Sequence, residues 1–388
     1  MGYQYITPEI EEYIVKMRRY FHENPELSWE EVNTQKKLKE ELESMGLEPE
    51  IVAKTGLIAV INPEKDGPCL AIRADIDALP VTEENNLEFA SKNTGVMHAC
   101  GHDSHMAMLL GAAKSMVNMK DKLGKVVLLF QPAEEFIKDS GAAHVVKEGA
   151  LEKKGVDRII SIHIWNQIES GKATISPGPL MASADTFKLV IKGKGGHGAQ
   201  PHTTIDPIPI GALIVENFQH LISRVKSPMN PQVLSVTAFN AGNTENVIPD
   251  NAVLLGTCRA FDNDLRDRFP QMMEKVIKGI CEANGADYEF TFYKGTPATI
   301  NEEESAILGN KIAKDIMGEE NVLELPPQMV GEDFAKYLVE IPGCMMLLGG
   351  KSQVCNTPHH SATFMIEEDN MKTGAEYFVR YALEYTNK

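Results

Sequence analysis

Apolar residues at Ile10, Tyr13, Ile14, Met17 and Phe21 fall on one face of a helical repeat, and Thr7 followed by Pro8 marks its start. A second helix is expected after Ser28, with Val32, Leu38, Leu42 and Met45 inward and Gly46 as its left-handed cap. The runs GLIAVI, CLAIRAD, KVVLLFQ and RIISIHI are apolar without alternation, the pattern of strands buried on both faces. Helical stretches lie among them, from after Ala107 to about Asn118 and at GAAHVVKEGAL. That succession predicts an α/β fold, a mostly parallel sheet with helices on both faces. The pattern changes near Asp185, where Phe187, Leu189 and Ile191 alternate with more polar residues as in a half-buried strand. A helix near 208 to 225, strands at QVLSVTAFN and NAVLLGTCRAF, a helix near 269 to 283 and a strand at DYEFTFY follow, the βαββαβ order of a ferredoxin-like α+β unit. The expected layout is one discontinuous domain, 1–184 and 298–388, split by an inserted second domain, 185–297.

The chain has 388 residues, 43% of them hydrophobic, enough for more than one core. Its formal charge of −17 repels phosphate backbones and anionic membrane surfaces, which argues against nucleic acid and membrane as partners. No basic-then-apolar leader opens the sequence, and no run of about 18 uncharged apolar residues occurs, so a cytoplasmic protein is expected. The six cysteines are scattered, which favours free thiols or metal ligands over a disulfide framework.

Cys100 keeps unusual company. The segment MHACGHDSHMAM places His98, Cys100, His102, Asp103 and His105 together between a strand and a helix, with Gly101 allowing a tight turn. One histidine alone is usually a core residue, but thiolate and imidazole so concentrated are donors for a borderline cation such as zinc. Glu134 and Glu135 follow the buried strand VVLLFQP, which delivers both to the carboxyl edge of the sheet. Adjacent residues there point differently, so one carboxylate can hold metal while its neighbour takes a proton from water. His163 closes RIISIHI at the same edge, and TPHHSATF offers His359 and His360 after the strand CMMLLGG. Together these could form two sites sharing one bridging group.

RADIDALP (73–80), MHACGHDSH (97–105), QPAEE (131–135), GKGGHGAQPH (193–202), NVIPDNAVLLGTCRAFD (246–262) and GEDFA (331–335) appear in the order of the M20 peptidase family blocks. The chain resembles that family nearly end to end, most closely its subgroup of amidohydrolases acting on N-acyl amino acids, including the indole-acetyl-amino-acid and hippurate hydrolases. The resemblance implies that the split domain is a dizinc exopeptidase-like catalytic domain and the insert a lid or dimerisation domain. It also implies Cys100, His102, Glu135, His163 and His360 as ligands of two divalent ions, with Cys100 bridging and Glu134 as general base. Zinc suits those donors best, with manganese, cobalt and nickel as alternatives. Asp75 would orient a neighbouring ligand. Arg73 stands where the wider family has a ligand histidine, as in the subgroup. His197 resembles a histidine that reaches a substrate carbonyl, commonly across a dimer contact, while Asn246 and Arg259 resemble residues that grip the substrate, and a guanidinium can hold an amino-acid carboxylate. A homodimer through the inserted domain is implied, with a homotetramer as the larger alternative. The doubled His359-His360 departs from the subgroup, and the spacing to Phe364 favours His360.

The expected activity is hydrolysis of the amide of an N-acyl amino acid, acetyl or similar, to a carboxylic acid and a free amino acid. A carboxypeptidase or dipeptidase on short peptides is the nearest alternative, and a non-catalytic metal-containing binding protein is the more distant one. Gly193, Gly195 and Gly198 spell a nucleotide-binding GxGxxG, but Pro201, Pro207 and Pro209 interrupt the helix such a loop must open.

Overall fold

A computed structural model describes residues 2–225, 227 and 229–387. It divides into two compact units, Met1–Gly178 with Ile300–Pro326 and Asp333–Lys388, and Pro179–Thr299 with Pro327–Glu332. The second unit is thus an insertion with a short return from near the end of the chain.

The first unit is built on an eight-stranded sheet. Its strands lie in the spatial order Glu50–Val52, Gly56–Ile61, Lys125–Gln131, Cys69–Asp75, Arg158–Glu169, Gly343–Lys351, Ala173–Thr174 and Val322–Leu323. The central pairings, from Lys125–Gln131 through Cys69–Asp75 and Arg158–Glu169 to Gly343–Lys351, are parallel. Gly56–Ile61 joins this block antiparallel, so the sheet is mixed, with its parallel part at the centre. The central strands read as continuous apolar runs because both their faces are buried. Helices Pro8–Glu23, His102–Asn118 and Met371–Thr386 contribute Ile14, Met17, Leu109, Ala113, Tyr377 and Phe378 to the core.

Thr7 caps the first helix as expected, its hydroxyl accepting the Ile10 N–H. The helix expected after Ala107 begins earlier, at His102. Its first turn, His102, Asp103, Ser104 and His105, is polar yet buried, so no apolar face marks it for periodicity to detect. The helix expected near 269 likewise starts at Asn263, where the Asp262 carboxylate caps the Leu265 N–H, and Pro270 lies within it. RIISIHI does not end at His163: the strand runs on to Glu169.

The second unit has four antiparallel strands in the spatial order Gln232–Ala241, Asn251–Ala260, Ala184–Lys192, Asp287–Thr296. Helices Pro207–Arg224 and Asn263–Asn284 pack Ile214, Phe218, Met273 and Ile277 against Leu189, Ile191 and Leu254. This is the βαββαβ arrangement of a ferredoxin-like sandwich. The buried Arg266–Asp185 ion pair, 2.8 Å, ties its second helix to the sheet.

Candidate metal centre

The parallel strand Cys69–Asp75 pairs with Arg158–Glu169 only as far as Arg73 opposite Ser161, which brings Asp75 level with His163 where the first strand leaves the sheet. The turn after Lys125–Gln131 and the start of helix His102–Asn118 meet them at this edge. Sites in α/β sheets form here because the strands end and the next helices begin.

Cys100, His102 and His163 each place one donor atom within 4.8 Å of the others, and so do Cys100, Glu135 and His360. Cys100 belongs to both groups. Its Sγ lies 3.5 Å from His163 Nε2. His360 Nε2 lies 3.2 Å from Glu135 Oε1, and His102 Nε2 is 4.0 Å from the same oxygen. Glu134 forms a further group with His102 and Glu135. Thus the structure brings together all five sequence-proposed ligands and the proposed base.

The imidazoles are oriented by their other nitrogens. His102 Nδ1 donates to the Asp77 carbonyl at 2.9 Å, and His163 Nδ1 to the Ile164 carbonyl at 2.6 Å. With Nδ1 carrying the proton, Nε2 of each is a lone-pair donor aimed at the cluster. Among the described residues, buried His102 Nε2 and Glu135 Oε1 make no hydrogen bond, Glu135 Oε1 meeting His360 only as an ion-pair contact. Burial first, then the charges of Glu135, Glu134 and Asp75, push the Cys100 thiol well above its usual range. A thiolate there requires added positive charge. His102 reports the same field: burial opposes its protonation, yet Asp75, Asp77 and Glu135 raise it to about 10. An anion-rich pocket with orphaned donors fits one or two divalent cations.

Asp75 is less simply placed than the sequence suggested. Its Oδ1 takes the Nδ1–H of His105, 2.5 Å, and the His105 Nε2 accepts the Ile164 N–H, 2.8 Å. It is 3.7 Å from His102 Nε2. Asp75 therefore fixes His105 directly and only faces a candidate ligand. His359 and His360 separate clearly. His359 Nδ1 is 3.8 Å from Cys100 Sγ, but its Nε2 accepts the Asn166 N–H and its ring packs against Trp165 and Phe364. His360, half exposed and held at φ 63°, is the one in a three-donor group.

Gly101 caps the helix at φ 92°, and a Cβ there would lie 2.2 Å from Ile164 Cγ2. Since Gly101 sits between Cys100 and His102, Gly101→Ala is expected to cost at least about 1 to 3 kcal/mol through backbone strain. Urea unfolding of the metal-free protein measures this, and an unchanged midpoint would contradict it.

In the second unit, His197 and Asn246 are neighbours: Gly196–His197 pairs with Val247–Ile248, and the Gly198 N–H donates to the Asn246 carbonyl. Arg259, half buried, donates to Thr257 Oγ1 and the Cys258 carbonyl. Among the described residues no carboxylate lies within ion-pair distance of it, and the Asp185 charge acts on it from farther off. Sequence reasoning passed over Asp77, Glu31 and Asp333, all buried in the first unit. Asp77 and Asp333 lay inside the quoted blocks, whereas Glu31 carried no signal beyond a polar residue at a helix start.

Such an α/β unit, with acids, imidazoles and a thiol converging at its sheet edge, is the scaffold of a hydrolase. The chain belongs to peptidase family M20/M25/M40, whose model matches residues 71–384. It is 48% identical over 301 residues to an N-acyl-L-amino acid amidohydrolase of Geobacillus stearothermophilus, covering 77% of this chain and 80% of that one. It is 40% identical over 386 residues to thermostable carboxypeptidase 2 of Saccharolobus solfataricus, covering 98% and 97%. Bacillus subtilis YXEP protein, solved as a dinuclear metal binding peptidase from the M20 family, superposes with a TM-score of 0.86 at 36% identity over 98% of this chain and 99% of that one. No helix among the described residues is long and apolar enough to cross a membrane.

Proposed function

We propose that this protein hydrolyses the amide bond of N-acyl amino acids, acetyl or similar, releasing a carboxylic acid and a free amino acid. The observation that carries the reading is that Cys100 belongs to two three-donor groups with Glu134 beside them. A closed structural site has no use for an extra carboxylate, which disfavours a metal-containing binding protein. Cys100, His102 and His163 would hold one divalent ion, and Cys100, Glu135 and His360 the other. Such ions, zinc by the donor chemistry and otherwise manganese, cobalt or nickel, would make a water acidic and offset charge developing on the amide oxygen. Glu134 takes the proton from the attacking water and returns it to the leaving nitrogen as the C–N bond breaks. Asp75 fixes His105 beneath the cluster, while burial, against the pull of Asp75, favours its neutral form.

His197, Asn246 and Arg259 are assigned to the substrate carbonyl and carboxylate, and the inserted unit to pairing with a second copy. That Arg259 makes no carboxylate ion pair among the described residues supports its share. If His197 serves the partner's site, mixing His197→Ala with Glu134→Gln chains should restore activity in hybrids. Verified hybrids as inactive as either parent would place its action within one chain.

The amidohydrolase relative supports the acyl-amino-acid reading, and the carboxypeptidase relative keeps short peptides as the second. A kcat/KM panel of acetyl-amino acids against dipeptides and C-terminally blocked peptides, with each metal in turn, decides it. Preference for peptides across the panel would overturn the first reading.

A further inference from the structure

The turn that carries Glu134 and Glu135 is held by two carboxylates that belong to neither three-donor group. Asp77, 1% exposed, accepts the Glu134 N–H at Oδ1, 3.1 Å, and the Glu135 N–H at Oδ2, 3.0 Å. Ser28 Oγ donates to the same Oδ2 at 2.7 Å, and the Asp77 carbonyl takes the His102 Nδ1–H. One residue preceding, the Ala133 N–H donates to Glu31 Oε1 at 2.8 Å, while Thr55 Oγ1 donates to Glu31 Oε2 at 2.6 Å. Ala133 sits at φ 50°, a conformation a non-glycine residue adopts only when its surroundings impose it. Three successive amides thus point inward to buried acceptors, an anion-binding concavity filled by the chain's own carboxylates.

We propose that Asp77 is a positioning residue for the reaction: its two oxygens set the base Glu134 and the ligand Glu135 at once, with Glu31 imposing the strained residue before them. This rests on the amidohydrolase reading for its catalytic consequence, but the positioning itself does not. The chemistry makes the two acids unequal. An asparagine at 77 offers one oxygen and turns an NH₂ toward the other amide, so one donor loses its acceptor. A glutamine at 31 still accepts from Ala133 and can donate to Thr55.

The test uses the full-length protein and hydrogen–deuterium exchange over the peptide 131–135, where Pro132 has no amide. In Asp77→Asn these amides should exchange about 10 to 100-fold faster, the loss of one buried hydrogen bond, while Glu31→Gln stays at the parental rate. Zinc affinity by calorimetry should fall about 10 to 100-fold in Asp77→Asn, the usual effect of removing a residue that orients ligands. With zinc saturating, kcat should fall at least about tenfold with KM within about threefold. Parental exchange, zinc affinity and kcat in Asp77→Asn would overturn the proposal. If Asp77→Asn does not fold, Ser28→Ala decides, since loss of its donor should speed exchange of the same amides and parental exchange would count against the proposal. A parent protein that neither binds zinc nor turns over acyl amino acids would sink the proposed function, with the exchange result still judging the positioning.

Discussion

Glu134→Gln is expected to lower kcat by about 10²- to 10⁴-fold, the range a positioned general base contributes, while both ions still bind. Glutamine keeps the size and one acceptor of the carboxylate but cannot take a proton from water. The ligand groups around Cys100 do not need Glu134, because Cys100, His102, Glu135, His163 and His360 supply the donors without it. Metal content by elemental analysis and steady-state kinetics on one acetyl-amino acid make the check. Parental kcat in a metal-replete variant would remove Glu134 from the chemistry, while loss of the ions would make it a ligand instead.

Arg73→Met should produce the largest change in stability. Arg73 is fully buried, and its guanidinium donates to Asp75 Oδ2 at 2.6 Å, to Asp333 Oδ1 at 2.8 Å and to Gln131 Oε1 at 2.8 Å. Gln131 Nε2 and the Ala142 N–H also donate to Asp333, so one cation organises two buried acids. Methionine fills similar volume but leaves Asp75 and Asp333 without their counter-charge, at a cost of about 3 to 5 kcal/mol for breaking a buried pair from one side. The pH dependence has a definite sign. Burial raises the Asp75 pKa, but Arg73, with His102 and His105, holds it well below 3.8. A depressed carboxylate contributes stability above its unfolded pKa and loses it as pH falls. The gap between parent and variant should therefore be widest near neutral pH and narrow as pH falls below about 4 toward the depressed pKa. Urea unfolding of metal-free samples at several pH values measures it, and a gap independent of pH would show that packing, not charge, is lost. The same network gives Arg73 a role beyond replacing a family histidine: it neutralises Asp75 and leaves that acid to orient His105.

Much of the fold could be read from the chain. Continuous apolar runs such as KVVLLFQ located the central strands, since a parallel strand buried on both faces has no polar side to alternate with. The switch to alternation at Phe187, Leu189 and Ile191 located the inserted sheet for the opposite reason. Local signals failed where burial and polarity coincide: the first turn of helix His102–Asn118 is polar yet buried, so apolar spacing begins only after it. The helix expected near 269 begins at Asn263, where its signal is the capping carboxylate of Asp262 and not the apolar spacing.

The sequence by itself determined the supply of chemistry: a thiol, histidines and paired acids at strand ends, in an order shared with M20 amidohydrolases. Composition and local spacing suffice for that, because which side chains a strand end delivers depends on a few adjacent residues. Tertiary structure alone decided how they are used. His360 rather than His359 joins Cys100 and Glu135 because Trp165, Phe364 and the Asn166 amide hold His359 aside. His102 and His163 present Nε2 because backbone carbonyls of Asp77 and Ile164 take their other protons. Asp77 and Glu31 grip the Glu134 turn from 57 and 102 residues away in the chain. Hydrogen bonds to main-chain atoms, and contacts that close loops of such length, leave no periodicity or motif behind, so only the folded chain reveals them.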